Sequence, residues 1–441
     1  MHQSIKWLST AFISWASVAI FAETQLSGKV EAEWRYFLSE ALFEQQNDQF
    51  YSIAFEPELN WKDESRTHYI NFKLFGRLDS SEGNRSHADI RELYYLYAGD
   101  GFEFGAGINK VFWGVTESNH LVDVINQTDL IESTSGEEKL GQPLIKMGFE
   151  NDTGNLDIYL LPYFRTRTFA AEDERYQIGL PQSSSSTAIP IDENSALFES
   201  KQKRRQIDVA IRLAQSLGDV DLALSAFHGT DREPIPIIGS VQNQAFPRLD
   251  EIKDLTLYYP MLTQLGLELQ YLWEDLTFKF EGAARYQSLG DYLSYVTGIE
   301  YTFADMDPFG QDIGILIEYL WHNRKTVDLT QQSLDATQID PIFIGDNRFV
   351  IPGEYLSPFE NDIFVGTRFN LNNIDSTEFV AGVIYDLETE TLLTTFEGSS
   401  RIGDQFKLSL NLYFFDNVDT ESSFYFSRRD DVFEIKGAWF F

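Results

Sequence analysis

Apolar and polar residues alternate with a period of two in segments of about ten residues, repeated along most of the chain. Ile207, Val209, Ile211 and Leu213 are interleaved with Gln206, Asp208, Ala210 and Arg212. Leu265, Leu267, Leu269, Tyr271 and Trp273 sit opposite Gly266, Glu268 and Gln270, and Ile313, Ile315, Ile317, Tyr319 and Trp321 sit opposite Glu318 and His322. Successive side chains of a strand point to opposite faces, so each segment reads as a strand with one apolar and one polar face. A soluble sandwich alternates too, but its strands are shorter. Segments of about 9–12 residues are what a tilted strand needs to cross a bilayer. Hydrocarbon cannot satisfy an open sheet edge, so such a sheet has to close on itself. The pattern therefore predicts an all-β fold, a transmembrane antiparallel β-barrel.

Turn chemistry gives the strand count. Short polar turns belong on the periplasmic side of such a barrel and longer loops outside. Eight segments read as short turns: Trp61–Thr67, Ala98–Gly101, Glu150–Gly154, Ser216–Asp219, Leu272–Leu276, Phe303–Asp312, Leu371–Ser376 and Ser400–Asp404. Long outer connections fall at Asp79–Asp89, Val111–Gln142, Arg165–Arg204, Gly229–Met261 and Asn323–Glu360, with shorter ones at Leu38–Gln49 and Asp416–Asp430. Strict alternation requires two more outer loops, near Gln287–Leu293 and Glu388. The sum is about 18 strands, starting near Gln25 and closing at Phe441; 16 is the alternative, because the last two loops are short. Residues 23–441 read as one barrel with long extracellular loops.

Composition narrows the class further. The chain carries 36 Phe, 21 Tyr and 8 Trp and no cysteine, so a disulfide scaffold or a Cys-based metal or redox site is excluded. Its formal charge of −35 repels phosphate backbones and makes nucleic acid an unsuitable partner. Lys6 followed by the apolar stretch Trp7–Ala22 reads as a secretory signal peptide over residues 1–22, too short for a comfortable helical span. At the other end Phe433, Ile435, Gly437, Trp439 and Phe441 alternate with Glu434, Lys436 and Ala438. This resembles the terminal strand that outer-membrane assembly machinery reads, with Trp439 and Phe441 as the signal. Outer-membrane lipid, including lipopolysaccharide, is the expected surrounding; a homo-oligomer is an open alternative.

The face opposite the apolar set predicts the lumen. Its candidate pore-lining residues are Lys73, Arg77, Asp208, Arg212, Lys279, Glu281, Arg285, Glu318 and Arg368. Mixed charge of this kind suits a water-filled passage polarised across a constriction; pairing between neighbouring strands is the plainer reading. Within the 32 residues of Val111–Gln142, Leu121, Val124 and Ile125 stand at i, i+3 and i+4, predicting a short helical stretch with a face that needs cover. The expectation is a loop folded into the mouth as a constriction, with Glu117, Asp123, Asn126 and Asp129 facing basic lumen residues such as Arg77 and Arg212 and His120 a further candidate of the constriction; a loop capping the rim is the alternative. Arg165–Arg204, with serines at 183–186, reads instead as a mobile surface loop. Ser118, His120 and Asp123 are the one local set resembling a hydrolase constellation, and three polar residues in a polar loop arise easily by chance. The six histidines show no i, i+4 pairing, so neither metal nor cofactor is expected, and no enzyme.

One stretch carries a family likeness. Arg91-Glu92-Leu93-Tyr94, Gly105 to Gly107, Lys110, Trp113-Gly114 and Asp123-Val124-Ile125-Asn126-Gln127-Thr128-Asp129-Leu130 resemble the corresponding stretch of a large group of porin-like outer-membrane barrel proteins of Gram-negative bacteria. The likeness covers about 45 residues. It implies a barrel in the bacterial outer membrane and says little about solute. The expected function is a porin-like channel for passive diffusion of small solutes; the alternative is the outer-membrane component of an export or lipid-handling system.

Overall fold

The computed structural model describes residues 23–81, 83–133, 135–177, 190–238, 254–288, 290–306, 310–324, 359–419, 422 and 424–441. The signal-peptide segment 1–22 and Ser183–Ser186 lie outside the described residues.

The period-two segments form strands as their pattern requires. In chain order these are β1 (Glu23–Phe37), β2 (Gln49–Lys62), β3 (His68–Asp79), β4 (His87–Ala98), β5 (Phe102–Asn109), β6 (Gln142–Asn151) and β7 (Gly154–Leu161). After β8 (Ile191–Phe198) come β9 (Asp208–Leu217), β10 (Val220–Thr230), β11 (Ile235–Ile238), β12 (Leu255–Tyr259), β13 (Met261–Trp273) and β14 (Leu276–Gln287). The remainder are β15 (Tyr292–Met306), β16 (Gln311–His322), β17 (Asn361–Asn370), β18 (Glu378–Asp386), β19 (Leu392–Ile402), β20 (Phe406–Asp416) and β21 (Val432–Phe440). All but β8, β11 and β12 belong to one 18-stranded sheet, in which β21 returns to pair with β1 from Lys29↔Phe440 to Phe37↔Val432. The sheet is closed and antiparallel throughout. Eighteen strands is the count that turn parity favours.

The expected short turns gather at one end of the barrel, where Gly101, Gly218 and Gly403 take the left-handed conformation that tight reversals need. The outward face is aliphatic between two aromatic zones. At the short-turn end Tyr271 stacks on Phe278 and Phe55 on Phe441; toward the long loops Trp34 stacks on Tyr51 and Tyr295 packs against Trp321. Exposed Ile211, Leu265, Ile299 and Ile317 lie between them. This is a lipid-facing belt with interfacial girdles.

Two departures from the regular barrel bear on the inward loop and the outer connections. The β3–β4 ladder passes from Lys73↔Glu92 to Leu74↔Ile90, which leaves Arg91 as the extra residue of a β-bulge, 2% exposed. Bulges re-aim side chains, and this one brings both Arg91 and Glu92 to polar partners, Arg91 to Asp129 and Glu92 to Asn71. Outside the barrel, β12 pairs with β11 antiparallel and with β8 parallel, joining the loops after β7 and β10 in a three-stranded sheet over Phe164, Phe169, Leu257 and Tyr259.

That sheet corrects the expectation of a mobile surface loop at Arg165–Arg204. In its described parts, residues 165–177 and 190–204, the chain is packed. Phe169 is buried, Arg175 lies over the Phe37 ring at 4.7 Å, and Glu174 accepts a bond from Ser81. Serine content at the centre of the loop hid the aromatic and arginine anchors at its flanks.

Candidate functional site

The connection from β5 to β6 runs into the barrel. Val122 and Ile125 are fully buried beside Val124 and Trp113, against Leu144, Tyr159, Leu161, Ala210, Phe227 and Leu262 of the wall. Burying side chains of this size stabilises the docked loop by about 1.5–3 kcal/mol each. Polar anchors fix its path. Asn126 donates to the carbonyls of Asn109 (3.0 Å) and Leu140 (2.8 Å) and accepts from Val111 N–H (2.9 Å). Asp129 pairs with Arg91 at 2.6 Å; burial still raises its carboxyl above the ordinary range, against the pull of Arg91. Glu132 pairs with Arg77 at 2.9 Å, and Arg77 together with Arg85 outweighs burial and holds that carboxyl below its usual value.

On the far side the anchors are acids of the wall. Glu281 Oε1 accepts from Val115 N–H (2.6 Å) and Thr116 N–H (2.9 Å), while Glu318 accepts from Glu117 N–H (3.0 Å) and Ser118 N–H (2.8 Å). Both acids are fully buried. The helical stretch predicted over Leu121–Ile125 is absent: the segment is a series of tight turns, with Asp123 N–H bonded to the His120 carbonyl and Val124 N–H to the Val122 carbonyl, while Val122 N–H is donated to Glu281.

Glycine permits this course at two positions. Gly107 has φ +138° and an added Cβ would lie 2.0 Å from the Leu93 carbonyl oxygen. Gly114 has φ +142°, with Glu281 Oε1 2.8 Å from the same hypothetical atom. No other residue fits the first site, and the second would strain any side chain.

The expected charge partners are corrected. Asp123 pairs with Lys139 of its own loop at 3.2 Å rather than with a lumen arginine, and Arg212 forms a two-bond pair with Glu268 (2.8 and 2.7 Å) on the wall. Asp208 is taken by Arg232 at 2.6 Å, and Arg285 by Gln264 (2.7 Å) and Glu233 (3.0 Å). Arg77, Asp208, Lys279, Glu281, Arg285 and Glu318 are therefore covered and not beside open water: each is less than a tenth exposed. Lys73, nearer the short-turn end, pairs with Glu56 at 3.2 Å.

Ser118, His120 and Asp123 also bond apart. Ser118 Oγ donates to Glu318. His120 Nε2 lies 3.3 Å from Glu137, and its Nδ1 3.9 Å from Glu281. Burial works against the imidazolium, but the two acids outweigh it and hold the pKa up to about 10. The residue is a clamp between loop and wall.

What the loop leaves is a cavity of about 490 Å³ against β16–β20. One side is the loop, through Glu117, Ser118, Leu130 and Glu137; the other includes Leu316, Phe364, Val380, Ile384, Leu393 and Phe415. Toward the short-turn end Glu117 bridges two bases, Lys279 at 2.9 Å and Arg368 at 3.5 Å, and Lys279 also meets Glu300 at 2.8 Å. Glu117 and Arg368 remain 39% and 49% exposed and line the cavity. Sequence reasoning missed Arg35 on the inward face of β1, and Arg85, Arg167, Arg175 and Arg232 of the loops, for which no periodicity exists. It also missed the apolar wall, whose signal is the loss of alternation in Phe379–Tyr385 (FVAGVIY).

A closed antiparallel barrel of eighteen strands, apolar outside and charged within, is a porin-like outer-membrane β-barrel, and its place is the bacterial outer membrane. No protein-family model matches the sequence, and no curated protein matches it. Among solved structures, the chain is similar to Wzi of Escherichia coli, an outer-membrane protein involved in group 1 capsule assembly and described as a carbohydrate-binding β-barrel. That match has 12% identity and a TM-score of 0.49, and covers 98% of this chain and 87% of the other. OmpT of Vibrio cholerae lacking loop L8 matches at 10% identity and TM-score 0.43, covering 96% and 100%. A triple mutant of the Rhodopseudomonas blastica porin matches at 10% and 0.41, covering 95% and 100%.

Proposed function

We propose that the protein is a channel for passive movement of small solutes across the outer membrane, with the β5–β6 loop as its constriction and Glu117, Lys279 and Arg368 as the charged neck. The observation that supports this reading is the cavity left between the docked loop and β16–β20. A loop anchored by buried acids on one side and arginines on the other sets a fixed aperture, and opposed charges across a neck admit ions of either sign unequally. On this reading the chain is a conduit and not an enzyme. A secretory leader delivers it, the assembly machinery reads β21, and lipopolysaccharide packs around the outer girdle.

The second reading, an outer-membrane component of an export or lipid-handling system, draws on the three-stranded sheet that ties together the loops after β7 and β10. Single-channel recording of the purified protein in a planar bilayer separates the two. The channel reading predicts steady unit conductance from the barrel alone; a barrel silent without partners supports the second.

A further inference from the structure

The interior of a water-filled barrel is ordinarily polar, yet the inward positions of β16–β19 beside the passage carry Leu316, Phe364, Val380, Ile384 and Leu393. The loop leaves Phe364, Val380 and Leu393 of this strip partly exposed beside Leu316 and Ile384, which are 8% and 9% exposed, while it buries the polar wall elsewhere. An apolar strip held against water is an unfavourable surface that a solute with an apolar body would relieve.

A cation stands at each end of the strip. Toward the long loops is Arg167, 6% exposed, which donates to Gln127 Oε1 at 3.1 Å and has no carboxylate within ion-pairing distance among the described residues. Toward the short turns is Arg368, whose guanidinium has five donors and meets Glu117 only at 3.5 Å. A buried guanidinium without a counter-ion favours an anion beside it. In a chain of net charge −35, such a site has to be built locally.

Resting on the channel reading, we propose that the passage is a track for small organic anions with an apolar body, of the class of aryl- or alkyl-substituted carboxylates. The apolar body slides along the β16–β19 strip while the carboxylate passes from Arg167 to Arg368. A polyhydroxylated carboxylate of similar size has no use for the strip, and an uncharged aryl alcohol has none for the arginines.

The test uses the full-length protein in planar bilayers, with 3-phenylpropanoate, gluconate and 3-phenylpropan-1-ol as probes. Reversal potentials across opposed potassium salts should favour 3-phenylpropanoate over gluconate by about tenfold, and 3-phenylpropan-1-ol should compete only weakly. The Ile384→Ser/Leu393→Ser double variant should bring the ratio close to one, as should Leu316→Thr should the double variant fail to assemble. Arg167→Gln should reduce the advantage of the anion over the alcohol. Equal treatment of the two carboxylates, or variants that keep the parent ratio, overturns the track and leaves the channel standing. A parent silent in KCl overturns the channel. Equilibrium dialysis of 3-phenylpropanoate against the protein in nanodiscs then decides the track: binding that Ile384→Ser/Leu393→Ser abolishes supports it, and no binding overturns it.

Discussion

Arg91 and Asp129 form an ion pair of 2.6 Å in which both side chains are 2% exposed. One partner is the extra residue of a bulge in the wall and the other lies deep in the inward loop. The pair joins the two ends of the stretch Arg91–Leu130, in which Trp113-Gly114 and Asn126 supply the other contacts. Removing Asp129 leaves Arg91 with only Asp89, at 3.5 Å, among the described residues and costs up to about 3–5 kcal/mol, whereas replacing both with apolar residues is close to neutral. Asp129→Ala should therefore loosen the loop, and Arg91→Met/Asp129→Leu should restore much of the loss. Limited proteolysis within Val111–Gln142, with the barrel still resistant to SDS before heating, reads this out. Equal cleavage of parent and single variant would contradict it.

Glu117→Gln leaves Lys279 with one acid instead of two and Arg368 with none at ion-pairing distance among the described residues. The neck becomes more positive. The expected outcome is a reversal potential under a salt gradient displaced toward anions, with little change in stability because the side chain is 39% exposed. Neutralising Asp123 instead acts on loop docking, since its partner is Lys139. A Glu117 variant with the parent's selectivity would move the neck elsewhere.

His120 gives the loop a pH dependence. Its folded pKa, held up to about 10 by Glu137 and Glu281, lies above the ordinary 6.5. The folded loop thus binds the proton more tightly than the unfolded one. This contribution is complete below about pH 6.5 and lost as pH rises through about 10. Hydrogen exchange in residues 115–126 should accelerate between pH 7 and 10.5 beyond its intrinsic rise, and His120→Gln should flatten that extra dependence. A variant as steep as the parent would remove His120 from the account.

Closure of the sheet has its own signature. Phe441 N–H donates to the Gly28 carbonyl and Gly28 N–H to the Phe441 carbonyl, both at 3.1 Å, and an added Cβ at Gly28 would lie 2.7 Å from the Phe441 ring. Phe441→Ser and Gly28→Val should each lower the fraction of heat-modifiable barrel in membranes while secretion continues. Unchanged levels of folded barrel would contradict the seam.

The barrel was legible in the sequence because alternation is local: Ile207 to Leu213 announces its two faces without reference to any other strand. Turn parity favoured eighteen strands over sixteen. The inward loop was legible in outline, since Leu121, Val124 and Ile125 demanded cover. Its partners were not. Whether Arg77 meets Asp123 or Glu132 depends on how a 32-residue segment crosses the lumen, and spacing does not encode that crossing. The predicted helix gives way to tight turns for a related reason: Val124 N–H bonds back to the Val122 carbonyl, and Glu281, more than 150 residues away, takes the Val122 N–H. The apolar wall escaped notice because β18 is apolar on both faces, so alternation there carries no sign.

The absence of native cysteine allows the most direct test of the central claim, that an open path runs between the loop and β17. In single-channel recordings, Arg368→Cys should lose conductance in irreversible steps when a charged methanethiosulfonate is added. Ala223→Cys, on β10 and 4% exposed, should be unaffected. Unchanged current in the Arg368 variant, or equal loss in both, would contradict the path.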